Sequence, residues 1–242
     1  FAVVAGRALL ADERGLGKSV QAIAATQLWR RHFGVQRVLV VCAPAQRAGW
    51  QRAWQRIAGS AVADETQVVD GGHHQRQAQW SAPAGVRIVA PEALHTDGAH
   101  LAHWAPDLVL IDEPQQLNLH ADDWALLQPI AHALVLCGAP LADLPALTDT
   151  LVAWLDVQRL GPLAALRELQ AASEAGRALG DADIERLTAA LSRLMLQRQR
   201  DDVADQLPPV VHSERLLPLA PGQRAAHDQH AAAARRLLAG WQ

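Results

Sequence analysis

The sequence predicts an α/β fold: a mostly parallel sheet in a three-layer arrangement, followed by a helical segment. Three observations carry that expectation. Short apolar runs alternate with helix-like patterns from the first residues onward, which is the rhythm of βαβ units. The runs carry Val, Leu and Ile at consecutive positions, as strands covered by helices on both faces must. The chain has 242 residues, 50% of them apolar, enough for one generous α/β domain or two small ones with a buried core.

Taken in order, strands are expected at 7–11, 37–43, 67–70, 86–90, 108–112 and 133–138. Helices are expected at 18–32, 47–57, 92–104 and 122–130. Beyond about Ala139 the strand-like runs stop. Asp181 can cap a helix whose Ile184, Leu187, Leu191, Leu194 and Met195 form one apolar stripe, read as core packing. Leu207-Pro208-Pro209 breaks that pattern, an extended piece covers 210–219, and a last helix begins near Pro221.

Composition excludes several classes. The apolar content excludes disorder, and 16 Gly and 13 Pro without a period exclude a collagen-like chain. No apolar stretch reaches the roughly 18 to 20 residues of a membrane span, so no membrane partner is expected. Two Cys make no disulfide framework, and a reducing, cytoplasmic setting is expected, nucleoid-associated if the source is bacterial. A net charge of −3 excludes a strongly basic coat for nucleic acid, although not a local basic groove. The chain opens on Phe, which suggests a segment of something longer.

Lys18 is the only lysine among 22 basic residues. A sequence that otherwise uses Arg for positive charge retains a compact ammonium on a flexible stem here. It stands in Gly15-Leu16-Gly17-Lys18-Ser19, between an apolar run and a helical pattern. Glycines let a backbone wrap an anion, so that N–H groups and a helix start point at phosphate oxygens. Lys18 would reach the β- and γ-phosphates of a nucleotide, and Ser19 would complete a Mg²⁺ shell. Asp12 stands where the strict phosphate-loop pattern has its first Gly. A solvated Gly-rich turn is the alternative.

A second candidate is Asp107 to Pro114, an apolar strand ending in two acids. Asp112 is assigned to Mg²⁺ and Glu113 to orienting the attacking water. The plain alternative is an acidic turn.

These residues resemble the Swi/Snf family of superfamily-two helicase-like ATPases, whose motors translocate on double-stranded DNA. Asp12 to Gln21 is similar to the family's DEMGLGKT-x-Q, Val38 to Trp54 to its motif Ia, and Leu108 to Leu117 to the DEAH box. Leu134 to Asp156 resembles its motif III, and Leu194 to Val210 the LRRxKxDV segment leaving the first lobe. Leu217 to Gln229 resembles the stretch after that. Six blocks in order span nearly the whole chain. The resemblance implies a first RecA-like lobe over 1–205 with a helical insertion near 155–197, then a connecting segment over 206–242. ATP would be bound by Gly15, Leu16, Gly17, Lys18, Ser19 and Gln115 and Mg²⁺ by Ser19 and Asp112, with Lys18, Asp112 and Glu113 as the catalytic residues. Double-stranded DNA and a second RecA-like lobe of the same chain are the implied partners, and an isolated lobe should hydrolyse ATP slowly at best.

There are departures from the family pattern. Gln115 replaces the His of the DEAH box and cannot take up a charge. Cys137 and Ala139 replace Thr hydroxyls of motif III, which removes expected coupling partners. The pattern fits either family drift or a degenerate nucleotide-binding docking module without effective hydrolysis. Arg47, Arg52 and Arg56 lie near helical spacing beside Trp50 and Trp54; the resemblance places DNA backbone there, the alternative being a solvated face over packed Trp rings. Arg198 and Arg200 are read as facing phosphate or as a solvated helix end. Pairs of His lack a third ligand at zinc-site spacing, and Cys42 and Cys137 read as small buried residues.

Overall fold

The computed structural model describes residues 1–58, 66–139, 145–156, 185, 189, 191–208, 213–214 and 217–239. Two compact units divide at Val203/Ala204. The first holds a seven-stranded sheet in which every pair is parallel. Its strands are β1 (Arg7–Leu10), β2 (Val38–Val41), β3 (Thr66–Val68), β4 (Val86–Val89), β5 (Leu108–Asp112), β6 (His132–Leu136) and β7 (Met195–Leu196), in the order β3-β4-β2-β5-β6-β1-β7. The helices around it are α1 (Ala2–Ala5), α2 (Lys18–Phe33), α3 (Arg47–Ala58), α4 (His73–Ser81), α5 (Glu92–Thr96), α6 (Gly98–Trp104), α7 (Ala121–Leu127) and α8 (Pro145–Leu155). In the second unit α9 runs Pro221–Ala239.

Strand period 2 sorts the core into two layers. Ala8, Leu10, Val38, Val40, Leu108, Leu110, Leu134 and Leu136 pack with Ile23 and Trp29 of α2 and Trp50 and Trp54 of α3. Leu9, Leu39, Val41, Val109, Ile111, Ala133 and Val135 pack with Trp80, Leu101, Trp124, Leu127 and Trp154 on the other side. Each fully buried Leu, Val or Ile side chain is worth about 1.5–3 kcal/mol, which is why the two central strands tolerate no polar residue before Asp112.

Three elements depart from the sequence expectation. Met195, placed on a helical stripe, belongs to β7, which pairs with β1 at Leu9↔Met195 and Leu10↔Leu196. A two-residue strand has no periodicity to detect, and its partner lies far upstream. The expected 92–104 helix is two helices meeting at Asp97, which is 2% exposed and accepts hydrogen bonds from Arg76 Nε and Trp80 Nε1. Helix α4 was not anticipated, and His73-His74 opens it. Most of the expected 155–197 insertion, with Ile184 and Leu187, lies outside the described residues. No described helix is long and apolar enough to cross a membrane.

Candidate functional site

Sheet register builds the site. Asp112 pairs with Leu136, Leu136 with Leu10, and Leu10 with Leu196. Four neighbouring strands therefore end level, and the residues just beyond them meet at one edge: Glu113, Cys137-Gly138, Asp12 and Arg198. The sequence distance between the phosphate loop and the acid pair closes because β6 alone separates β5 from β1. Open α/β sheets bind ligands at such carboxyl ends.

The loop after β1 holds Gly15 at φ 92 and Gly17 at φ 74, left-handed values that a side chain resists. Gly17 is the N-cap of the 16-residue α2, and no side chain caps that helix. Its first N–H groups and positive dipole end are thus left to an anion. Lys18 is 8% exposed. Its Nζ donates to the Asp12 carbonyl at 2.9 Å and lies 3.8 Å from Glu113 Oε1. The loop and Glu113 are thus brought together.

Gly138 is the floor between them. A Cβ built there would lie 2.7 Å from Glu113 Oε1 and 2.7 Å from Lys18 Nζ, so only a glycine leaves this space open. Glu113 itself sits at φ 50, an uncommon conformation for a non-glycine residue and a frequent mark of functional positions. Its Oε2 accepts from the Gly138 N–H at 2.9 Å and from Gln115 Nε2. Asp112 is 8% exposed, and Trp50 Nε1 donates to its Oδ2 at 2.8 Å. Burial pushes the Asp112 carboxyl above its ordinary range, the Trp50 hydrogen bond acts against burial, and the neighbouring Glu113 charge adds to it. Trp50, read from sequence as core, is buried at 3% but also holds the acid. Only the strand register reveals that partnership.

The motif departures reconnect. Gln115 donates to Glu113, and its Oε1 accepts from Cys137 Sγ at 3.5 Å. Burial raises the Cys137 thiol, so it stays a neutral S–H donor. The single Cys137 S–H, where the family has a Thr hydroxyl, has two acceptors in reach, Gln115 Oε1 and the Ala139 carbonyl at 3.6 Å.

Of the arginines assigned to DNA, Arg47 is tied down locally. It donates to the Pro44 and Val69 carbonyls and pairs with Asp70 at 3.6 Å. Arg52 and Arg56 are exposed on α3 over the buried Trp50 and Trp54. Arg198, its side chain 36% exposed, pairs with the buried Asp12.

A parallel sheet with a glycine-rich loop after β1 and an Asp-Glu pair at the end of β5, one strand removed, defines a RecA-like nucleotide-binding lobe. The SNF2-related domain family matches residues 5–239, and the chain belongs to it. The mouse chromodomain-helicase-DNA-binding protein 6 is 27% identical over 221 residues, covering 83% of this chain and 8% of that protein. The Sulfolobus solfataricus SWI2/SNF2 ATPase core in complex with dsDNA superposes with a TM-score of 0.66 at 19% identity, covering 84% of this chain and 43% of that one. The same organism's SWI2/SNF2 ATPase core domain gives 0.66 at 18%, covering 86% and 43%. The chain thus spans less than half of these solved cores and a small part of the mouse protein, and it has the architecture of a Swi/Snf-type ATPase core domain.

Proposed function

We propose that the chain is the N-terminal ATP-binding lobe of a DNA-dependent ATPase of the Swi/Snf type, a motor that tracks along duplex DNA and remodels protein–DNA complexes. The observation that carries this is the meeting of the only lysine, the uncapped start of α2 and Glu113 around Gly138, with Asp112 ending the strand just before Glu113. Gly15, Leu16 and Gly17 wrap the phosphates with backbone N–H groups, and Lys18 exchanges the Asp12 carbonyl for β- and γ-phosphate oxygens. Ser19 and Asp112 offer the hard oxygen donors that Mg²⁺ prefers, and the ion, when bound, offsets phosphate charge. Glu113, held by Gln115 and the Gly138 N–H, orients the attacking water. A second RecA-like lobe of the same chain closes on the nucleotide and supplies arginines to the transition state; the lobe by itself binds ATP weakly. The proposed lobe covers 1–205 and the connecting segment 206–242, and the proposed setting is the cytoplasm. Exposed Arg52 and Arg56 are the candidate DNA-backbone contacts, with Arg47 held as a secondary one.

The test is phosphate release by the full-length protein, with and without duplex DNA, for wild type and Lys18→Ala. DNA-stimulated release that is lost in the variant is expected; equal activity in the two removes the proposal. Nucleotide binding without turnover on DNA would instead support a docking module, the reading that Gln115 in place of a chargeable His favours.

A further inference from the structure

Asp12 is 0% exposed, and its carboxylate occupies the place that the strict phosphate-loop pattern gives to glycine. A buried carboxylate needs a paired cation and hydrogen bonds. Both come from beyond β7. Arg198 Nε donates to Oδ1 at 3.1 Å and Nη2 donates to Oδ2. Gln21 of α2 completes the set, with Nε2 donating to Asp12 Oδ2 at 3.1 Å and to the Leu16 carbonyl at 2.9 Å. Its Oε1 accepts from Arg198 Nη2 at 2.7 Å. The Arg198 fork therefore reaches Asp12 at the start of the loop and Gln21 in the first turn of α2, and Gln21 carries the connection on to Leu16.

The backbone repeats the attachment. The ladder of β7 on β1 runs on past both strands: the N–H groups of Leu9, Ala11 and Glu13 donate to the carbonyls of Leu194, Leu196 and Arg198 at 2.7, 2.8 and 2.9 Å. The Arg200 N–H donates to Glu13 Oε2 at 2.8 Å. Residues 194–200 are thus laced along the loop to Glu13, a few residues before the second unit begins.

We infer that Arg198 is a positioning residue for the phosphate loop, holding Asp12 so that its carbonyl and the loop present Lys18 to phosphate, and that the strap 194–200 makes nucleotide affinity depend on its own seating. The inference deepens the proposed function and rests on that reading for its ligand. Asp12 divides the work: its side chain takes Arg198, and its main-chain oxygen takes Lys18. A loop released from Arg198 can rotate Asp12 out of its buried place and carry the Lys18 contact with it, and a hydrogen bond to a charged group is worth about 1.5–3 kcal/mol, tenfold or more in affinity.

The experiment titrates fluorescently labelled MgADP into the full chain for wild type, Lys18→Ala, Arg198→Met, Arg198→Lys and Asp12→Asn/Arg198→Met. Thermal melting and amide hydrogen exchange at residues 12–17 are followed in parallel. Arg198→Met leaves a buried charge alone and threatens the fold; Arg198→Lys keeps the charge and gives up the fork. Expected are a Kd raised about 10-fold in Arg198→Lys and more in Arg198→Met, with faster exchange in the loop. The double variant should bind no worse than Arg198→Met, because both changes cut one connection. A lowered Tm with Kd within about twofold in both Arg198 variants overturns the inference. If wild type and Lys18→Ala alike fail to bind MgADP, the proposed function falls. The exchange data still decide the strap in that case: unchanged loop exchange in Arg198→Lys refutes it, and faster exchange supports it.

Discussion

Gly138→Ala isolates the candidate site from the fold. The added Cβ would meet Glu113 Oε1 and Lys18 Nζ at 2.7 Å and Arg14 Cγ at 3.0 Å. Ordinary contact begins at 3.4 Å, so each terminal atom must withdraw by about 0.7 Å. The two closest atoms are the ends of long side chains, Arg14 Cγ lies near its own backbone and must give by about 0.4 Å, and none of the three belongs to the main chain. The backbone at 138 does not require a positive φ. Stability should therefore change by less than about 1 kcal/mol, with the gain of about 0.4–1 kcal/mol from a stiffer unfolded chain offsetting the displacement. That corresponds to at most about 2–4 °C in Tm for a domain of this size. Nucleotide affinity should fall much further, about 10- to 100-fold, because the displaced ammonium loses charge-assisted hydrogen bonds to phosphate. Melting curves and labelled-nucleotide titrations on the same samples provide the comparison. A variant that melts like wild type and binds nucleotide equally well would refute the reasoning, since the cleft would then not lie between Lys18 and Glu113.

Other expectations concern the surrounding network. Trp50→Phe removes the indole N–H from Asp112 Oδ2 and should cost about 1–3 kcal/mol in chemical denaturation, because the buried oxygen loses its donor. Gln115→Leu cuts the contacts to Glu113 and Cys137; steady-state kinetics of the full-length protein should show kcat down about tenfold with nucleotide Kd nearly kept. Burial alone would raise the Asp97 carboxyl, but hydrogen bonds from Arg76 and Trp80 outweigh it and hold it below the ordinary range. Its contribution to stability is therefore present above the unfolded value of about 3.9 and is lost as pH falls through the depressed folded value. Asp97→Asn should flatten that acid limb in melts taken across pH.

Much of this was legible in the sequence because it is local. Val38 to Val41 and Leu108 to Ile111 announce strands buried on both faces, and Gly15 to Ser19 announces an anion loop whatever the fold. Partnerships that depend on register were not legible. Trp50 looks like any core indole until β2 and β5 are laid side by side, and only then does its N–H meet Asp112. Arg198 reads as facing phosphate or as a solvated helix end because Leu194 and Met195 fit an apolar stripe as well as they fit a strand. The pairing of β7 with β1 crosses more than 180 residues, as in Leu9↔Met195, and no nearby pattern encodes it. The acceptors in reach of the Cys137 S–H were not legible either.

The burial of Lys18 has a practical consequence. No other ε-amine exists in the chain, and this one is 8% exposed with Asp12 and Glu113 as partners. An acylating reagent aimed at lysines therefore has one side-chain target, and its rate of attack reports how often the ammonium leaves its two oxygen partners. Mass spectrometry of the acylated protein would read the opening of the cleft directly, without a nucleotide and without turnover.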